Sequence, residues 1–184
     1  MGNVLVFVSI VIGLGVTDIL VSLHRLLRAR AQVRWDWAAL AVAFLVLLTI
    51  VQMWWTIAQP TAKSMTIGAF LPMLVELVLL FLLASAVLPD SLPPEGIDLK
   101  AYYHDNGGYI WTLFAAALAW LVATDFVVTA PRLGIRAALG RSAEEFIVLA
   151  VMVSLIFVRR RWWHAIGLCV LAGGPIGWLS RSLS

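Results

Sequence analysis

What most constrains this chain is the continuity of its apolar runs. Six stretches, near 3–23, 37–59, 66–88, 109–130, 143–158 and 163–180, carry few charges along their length. A hydrocarbon core about 30 Å thick is crossed by roughly 20 helical residues at 1.5 Å each, and that ruler fits these runs. The predicted fold class is therefore all-α, a polytopic membrane helix bundle of six transmembrane helices. With 62% hydrophobic residues in a chain of 184, too little polar surface is left to cover a soluble domain. Strands of a closed barrel would alternate over about ten residues, whereas these runs are unbroken. The fifth run is short, bounded by Glu144-Glu145 and Arg159-Arg160-Arg161, so it is expected to stand upright or to draw its charged flanks inward. The first run lacks the basic lead and small-residue cleavage site of a signal peptide and is expected to persist as a helix.

One phrase occurs twice. Val16-Thr17-Asp18-Ile19-Leu20-Val21-Ser22-Leu23-His24-Arg25-Leu26 is answered by Ala123-Thr124-Asp125-Phe126-Val127-Val128-Thr129-Ala130-Pro131-Arg132-Leu133, with Thr, Asp, Val, Arg and Leu in register. The polar segment 90–108, with Pro93-Pro94 at its front and Asn106-Gly107-Gly108 at its end, divides the chain into a first half, 1–89, and a second, 109–184. Three spans in each half force the second copy to enter the membrane from the opposite side, which predicts a 3+3 inverted-topology repeat. Coincidence within a small apolar alphabet is the competing explanation.

Lysines and arginines in short loops set the orientation. Placing both termini outside the cell membrane puts Arg25, Arg28, Arg30, Arg34, Lys100 and Arg159 to Arg161 inside, and leaves Lys63, Arg132, Arg136, Arg141 and Arg181 outside. Most tryptophans then fall at the two interfaces, where amphipathic rings sit. Trp120 is the exception, near mid-depth, and is expected to pack between helices.

Acids at hydrocarbon depth point to function, because an ionised carboxylate there is costly unless it is paired or hydrated. Asp18, Ser22 and Arg25 share a helix face at i, i+4 and i+7, as do Asp125, Thr129 and Arg132. Glu76 sits at the centre of the third span, beyond reach of any loop. The predicted path comprises Asp18, Glu76 and Asp125, with Thr17, Thr124, Ser22, Thr129 and Gln52 beside them, and Arg25 and Arg132 as charge partners. These residues suit a small carrier or channel for a cation or a proton-coupled solute.

Two other classes compete. In one, the acids and arginines pair only to hold together a non-catalytic subunit or assembly protein, through Asp18 with Arg132 or Asp125 with Arg25. In the other, two aspartates share a proton as in an intramembrane aspartyl protease; Gly13-Leu14-Gly15-Val16-Thr17-Asp18 only loosely resembles the GxGD motif of that family, and its tyrosine-aspartate partner motif is missing. No enzyme activity is therefore expected. Cofactors and metals are not expected either, since His24, His104 and His164 lack ligand spacing and Cys169 is the sole cysteine. The expected partners are the lipid bilayer, a second copy of the chain and the transported cation or proton. Nucleic-acid binding has no support beyond the net charge of +3. Small-residue stripes at Ser9, Gly13, Thr17 and at Gly173, Gly177 allow close backbone approach, within the chain or in a homodimer. Tyr102-Tyr103-His104 in the central segment is read as an interfacial anchor or a partner contact.

Overall fold

The computed structural model describes residues 2–58, 67–158 and 160–179, so Lys63, Arg159 and Arg181 lie outside the described residues. Seven helices are present among them: α1 (Gly2–Arg28), α2 (Trp37–Ala58), α3 (Ile67–Val87), α4 (Leu99–Leu133), α5 (Ile135–Arg141), α6 (Ala143–Phe157) and α7 (Arg161–Leu179). Two short strands, β1 (Val33–Arg34) and β2 (Ile97–Asp98), complete the order. Four segments are long and apolar enough to cross a membrane: Val4–Arg28, Trp37–Ala58, Phe70–Val87 and Leu99–Leu133. At 15 residues, α6 falls short of the roughly 20 needed to cross unaided.

The helix ends follow local chemistry. α1 stops with Arg25 and Arg28 in its last turn, where cations oppose the negative end of the helix dipole. α4 starts because the Asp98 side chain accepts from the backbone N–H groups of Lys100 (2.9 Å) and Ala101 (3.3 Å), filling the N-cap. It runs for 35 residues and ends at Gly134, whose φ of +86° suits a residue without a Cβ. Pro131 costs little there, since only the last turn follows it.

That cap corrects the expected central loop. Residues 99–108, read from their Lys, Asp, Asn and Gly content as part of a connection, form the first turns of α4. Side chains stitch this weak helical sequence to its own backbone, Asn106 Nδ2 donating to the Tyr102 carbonyl (3.0 Å) and Thr112 Oγ1 to that of Gly108 (2.7 Å).

β1 pairs with β2 in parallel, Val33 opposite Ile97 and Arg34 opposite Asp98. Gly96 makes this possible: its φ is +89°, and a Cβ there would collide with the Gln32 carbonyl. β1 joins α1 to α2 and β2 joins α3 to α4, so the pair gathers the C-termini of α1 and α3 and the N-termini of α2 and α4 at one end of the bundle. The guanidinium of Arg161, first residue of α7, bonds Asp36, the residue before α2, and brings the α6–α7 junction to the same end. Successive long helices thus alternate in direction, and the two copies of the repeated phrase lie toward opposite ends. The halves are not packed alike, however. α1 rests on both α2 and α3, whereas α4 rests on α3 and α6, and α7 packs against α2.

Apolar side chains occupy both the interior and the exterior. The core is a seam of small and medium apolar side chains, Val8, Val42, Val46, Leu83 and Ile110 among them, closed by Trp111. The exterior is also apolar: Val127 (71% exposed), Ile147 (64%) and Phe44 (60%) point away from the bundle. Such a surface is compatible with a membrane surrounding.

Candidate functional site

The three predicted acids differ in their surroundings. Glu76, midway along α3, is 8% exposed, and its Oε2 is buried with no hydrogen-bond partner. One turn earlier the Pro72 carbonyl accepts from Trp120 Nε1 of α4 (2.8 Å), so the expected interhelical role of Trp120 is realised as a pin between α3 and α4 beside Glu76. Asp18 is half-buried on α1, ten residues before its end, which puts it about 15 Å from the strand-paired end at 1.5 Å per residue. Asp125 is exposed near the far end of α4; its Oδ2 accepts from Thr129 Oγ1 (3.3 Å) and lies 4.0 Å from Arg141 Nε.

The expected charge partners are not used. Arg25 donates to the carbonyl oxygen of Asp90 (2.7 Å), tying α1 to the segment after α3, and Arg132 makes no ion pair among the described residues. Arg141, one helix further on, is the cation that meets Asp125, because Gly134 turns the chain back there. The hydroxyl of Thr124 satisfies the Leu121 carbonyl of its own helix (2.9 Å), Ser22 is buried, Thr17 is exposed and Gln52 is half-buried. Asp18 and Asp125 are therefore separate features, one on each side of mid-depth.

The larger of two described cavities lies elsewhere. About 470 Å³ in volume, it sits at the strand-paired end, where the starts of α2, α4 and α7 meet the end of α6. Asp36, Asp98, Lys100, His104, Asp105 and Arg161 supply its charged or titratable wall, with Tyr103 and His164; Ala38, Ala101, Leu155 and Ile156 supply apolar surface. Asp36 is 7% exposed; one carboxylate oxygen bonds Arg161 and the other, Oδ2, is buried without a partner. Asp98 is held by Arg34 (3.2 Å) and by its capping role. The second cavity, about 10 Å³ between α1, α2 and α3, is lined by Val11, Ile12, Gly15, Ile50, Leu77, Leu80 and Phe81. Apolar and near the size of a single water, it offers no wet route.

Behind the larger cavity runs a hydrogen-bonded chain whose protons can be assigned. Trp111 Nε1, a donor only, bonds the Tyr103 hydroxyl (2.9 Å), and that hydroxyl meets His164 Nδ1 (2.8 Å). His164 Nε2 faces the Val158 carbonyl (3.0 Å), an acceptor only, so the ring carries its proton on Nε2 and Nδ1 accepts from Tyr103. Every group in this chain is satisfied, and it ties α4 and α7 to the end of α6. The first three turns of α4 thus hold a tyrosine committed to structure, Tyr103, beside a histidine, His104, that faces the cavity. Tyr102, by donating to the Ala86 carbonyl (2.9 Å), fastens α4 to α3.

Sequence reasoning missed this site because its walls come from four separated segments. One local signal was readable: Asp36 stands immediately before the apolar run Trp37–Ala58, at the N-cap position. No protein-family model matches the chain, and neither curated proteins nor solved structures show a significant similarity to it.

Proposed function

We propose that this is a small multi-pass membrane transport protein, a carrier for a cation or a proton-coupled solute, with Glu76 as its exchangeable group. The observation that carries this reading is the unpartnered carboxyl oxygen of Glu76, enclosed at mid-helix in a bundle whose outer surface is apolar. A carboxylic acid held there for structure alone would normally have a donor, since an unmet buried polar atom costs about 1–3 kcal/mol. A group that takes up and releases a proton or cation has reason to lack a permanent one. No described cavity reaches Glu76, which speaks against a permanent channel; a dry Glu76 is also what the non-catalytic reading expects, so flux and not geometry separates the two.

In this reading the six runs form six spans, with α6 shortened and flanked by charge, and both termini lie outside the cell membrane. Asp18 and Asp125 mark the two approaches to Glu76. A second copy shields the exposed Gly13–Thr17 face of α1; a Cβ at Gly13 would meet nothing within 4 Å, so that glycine serves no close approach within this chain.

Proteoliposomes test the proposal. A proton or cation gradient is expected to drive flux that Glu76→Gln abolishes and that Asp18→Asn or Asp125→Asn slows. Flux absent under every gradient, or equal in wild type and Glu76→Gln, sinks it. The runner-up is a non-catalytic subunit or assembly protein, favoured by the Asp36–Arg161 tie and the saturated Tyr103–His164 chain, both of which fasten helices together. That reading expects no flux from wild type or variants, and a loss of stability or of assembly wherever a paired acid is removed.

A further inference from the structure

The geometry points to a ligand site in the cavity at the strand-paired end, built for a small zwitterion of amino-acid type with an apolar side chain. Three observations converge on it.

The first is the floor. Gly107 and Gly108 lie within α4 and line the cavity, yet a Cβ at either would meet nothing within 4 Å. Glycine inside a helix is unfavourable relative to alanine, and close packing does not explain these two, because no neighbour is near. Their effect is to leave the space empty.

The second is the Asp36–Arg161 pair. Asp36 is more than nine-tenths buried, with Oδ2 unpartnered, while the Arg161 side chain is 49% exposed and spends one of its five N–H donors on Asp36 Oδ1. The two charges therefore respond differently to separation. An anionic ligand that drew Arg161 away would strand a buried carboxylate, a severe penalty. A cationic ligand that engaged Asp36 would release a guanidinium that water can still solvate. A zwitterion does best, since its ammonium replaces Arg161 at Asp36 and supplies the donor that Oδ2 lacks, while its carboxylate takes the freed guanidinium in bidentate fashion.

The third is the remaining lining. Lys100 and Asp105 carry opposite charge with no ion pair among the described residues, and Leu155 and Ile156 offer an apolar wall opposite. The described residues contain no cluster of His, Cys, Asp and Glu able to hold a metal ion, so an organic ammonium suits the acids better than a divalent cation. A volume of about 470 Å³ accommodates such a molecule with room for water.

This inference stands apart from transport, because it reads binding and not flux. Purified protein in nanodiscs is titrated calorimetrically with L-leucine, L-leucine methyl ester, which keeps only the ammonium, and N-acetyl-L-leucine, which keeps only the carboxylate. The expected order is L-leucine tightest, the ester about tenfold weaker, and the acetylated acid at least a hundredfold weaker, as each lost charge pair costs about one to two decades. Gly108→Leu, at a lining position where a Cβ meets nothing within 4 Å, takes up part of the space a ligand needs without altering Asp36 or Arg161, and is expected to abolish binding while thermal stability holds. Arg161→Lys, which keeps the charge and loses the fork, is expected to weaken L-leucine by roughly tenfold and leave the ester unchanged. Absence of saturable L-leucine binding overturns the proposal. So does N-acetyl-L-leucine binding as tightly as L-leucine, or binding that survives Gly108→Leu.

Discussion

The strand-paired end of the bundle and its middle differ in what balances a buried acid. At the end, Trp111, Tyr103, His164 and Val158 hand hydrogen bonds along a chain with no group left over, and Asp36, although its Oδ2 has no partner, is neutralised through Oδ1 by Arg161. In the middle, Glu76 has a buried oxygen without a partner and no ion pair among the described residues. A saturated network resists change, because any substitution strands a neighbour. A solitary acid strands nothing when it is neutralised. The difference separates polar residues that fasten helices together from an acid that the proposed carrier would use for exchange.

Six substitutions probe the bundle, four of them that contrast, and thermal unfolding in detergent or nanodiscs measures each. Arg161→Ala is expected to cost the most, about 3 kcal/mol, the lower part of the range for breaking a buried pair because Arg161 is half-exposed. Asp36→Asn should cost less, about 1 kcal/mol, since the cation left behind can hydrate; equal losses would show that Asp36 is not the buried partner. Tyr103→Phe deprives two groups, the Trp111 N–H and His164 Nδ1, and should cost about 2 kcal/mol. Two glycines then predict opposite signs. At Gly167 a Cβ would press on Leu155 at 2.8 Å, so Gly167→Ala should destabilise by about 1–2 kcal/mol. Gly107→Ala has open space and should stabilise by up to about 1 kcal/mol. Glu76→Gln closes the series with a change of about 1 kcal/mol or less, because no partner depends on the carboxylate. A loss near that of Arg161→Ala would place Glu76 among the structural groups and erase the contrast.

The sequence made some of this legible and hid the rest for identifiable reasons. Long runs such as Trp37–Ala58 announce themselves, since every residue contributes to the same signal. Glu76 stood out because its neighbours are apolar on both sides. The start of α4 did not, because Asn106-Gly107-Gly108 carries turn chemistry that the Asp98 cap and tertiary contacts override. The cavity was invisible for a deeper reason. Asp36 and Arg161 are separated by 125 positions, and their meeting follows from the pairing of β1 with β2 and the return of α7. The repeated phrase pairs Asp125 with Arg25; the turn at Gly134 brings Arg141 to Asp125 instead, and Arg25 goes to the Asp90 carbonyl.

Helix α4 has 35 residues, about 52 Å of rod at 1.5 Å per residue, against a hydrocarbon slab of about 30 Å. A rod of that length exceeds the slab even when strongly tilted, and in the proposed arrangement its polar first turns are the part that stands clear. Anything collected between Lys100 and Arg161 would thus be gathered from the headgroup layer or the adjoining water, before the chain has to commit it to oil.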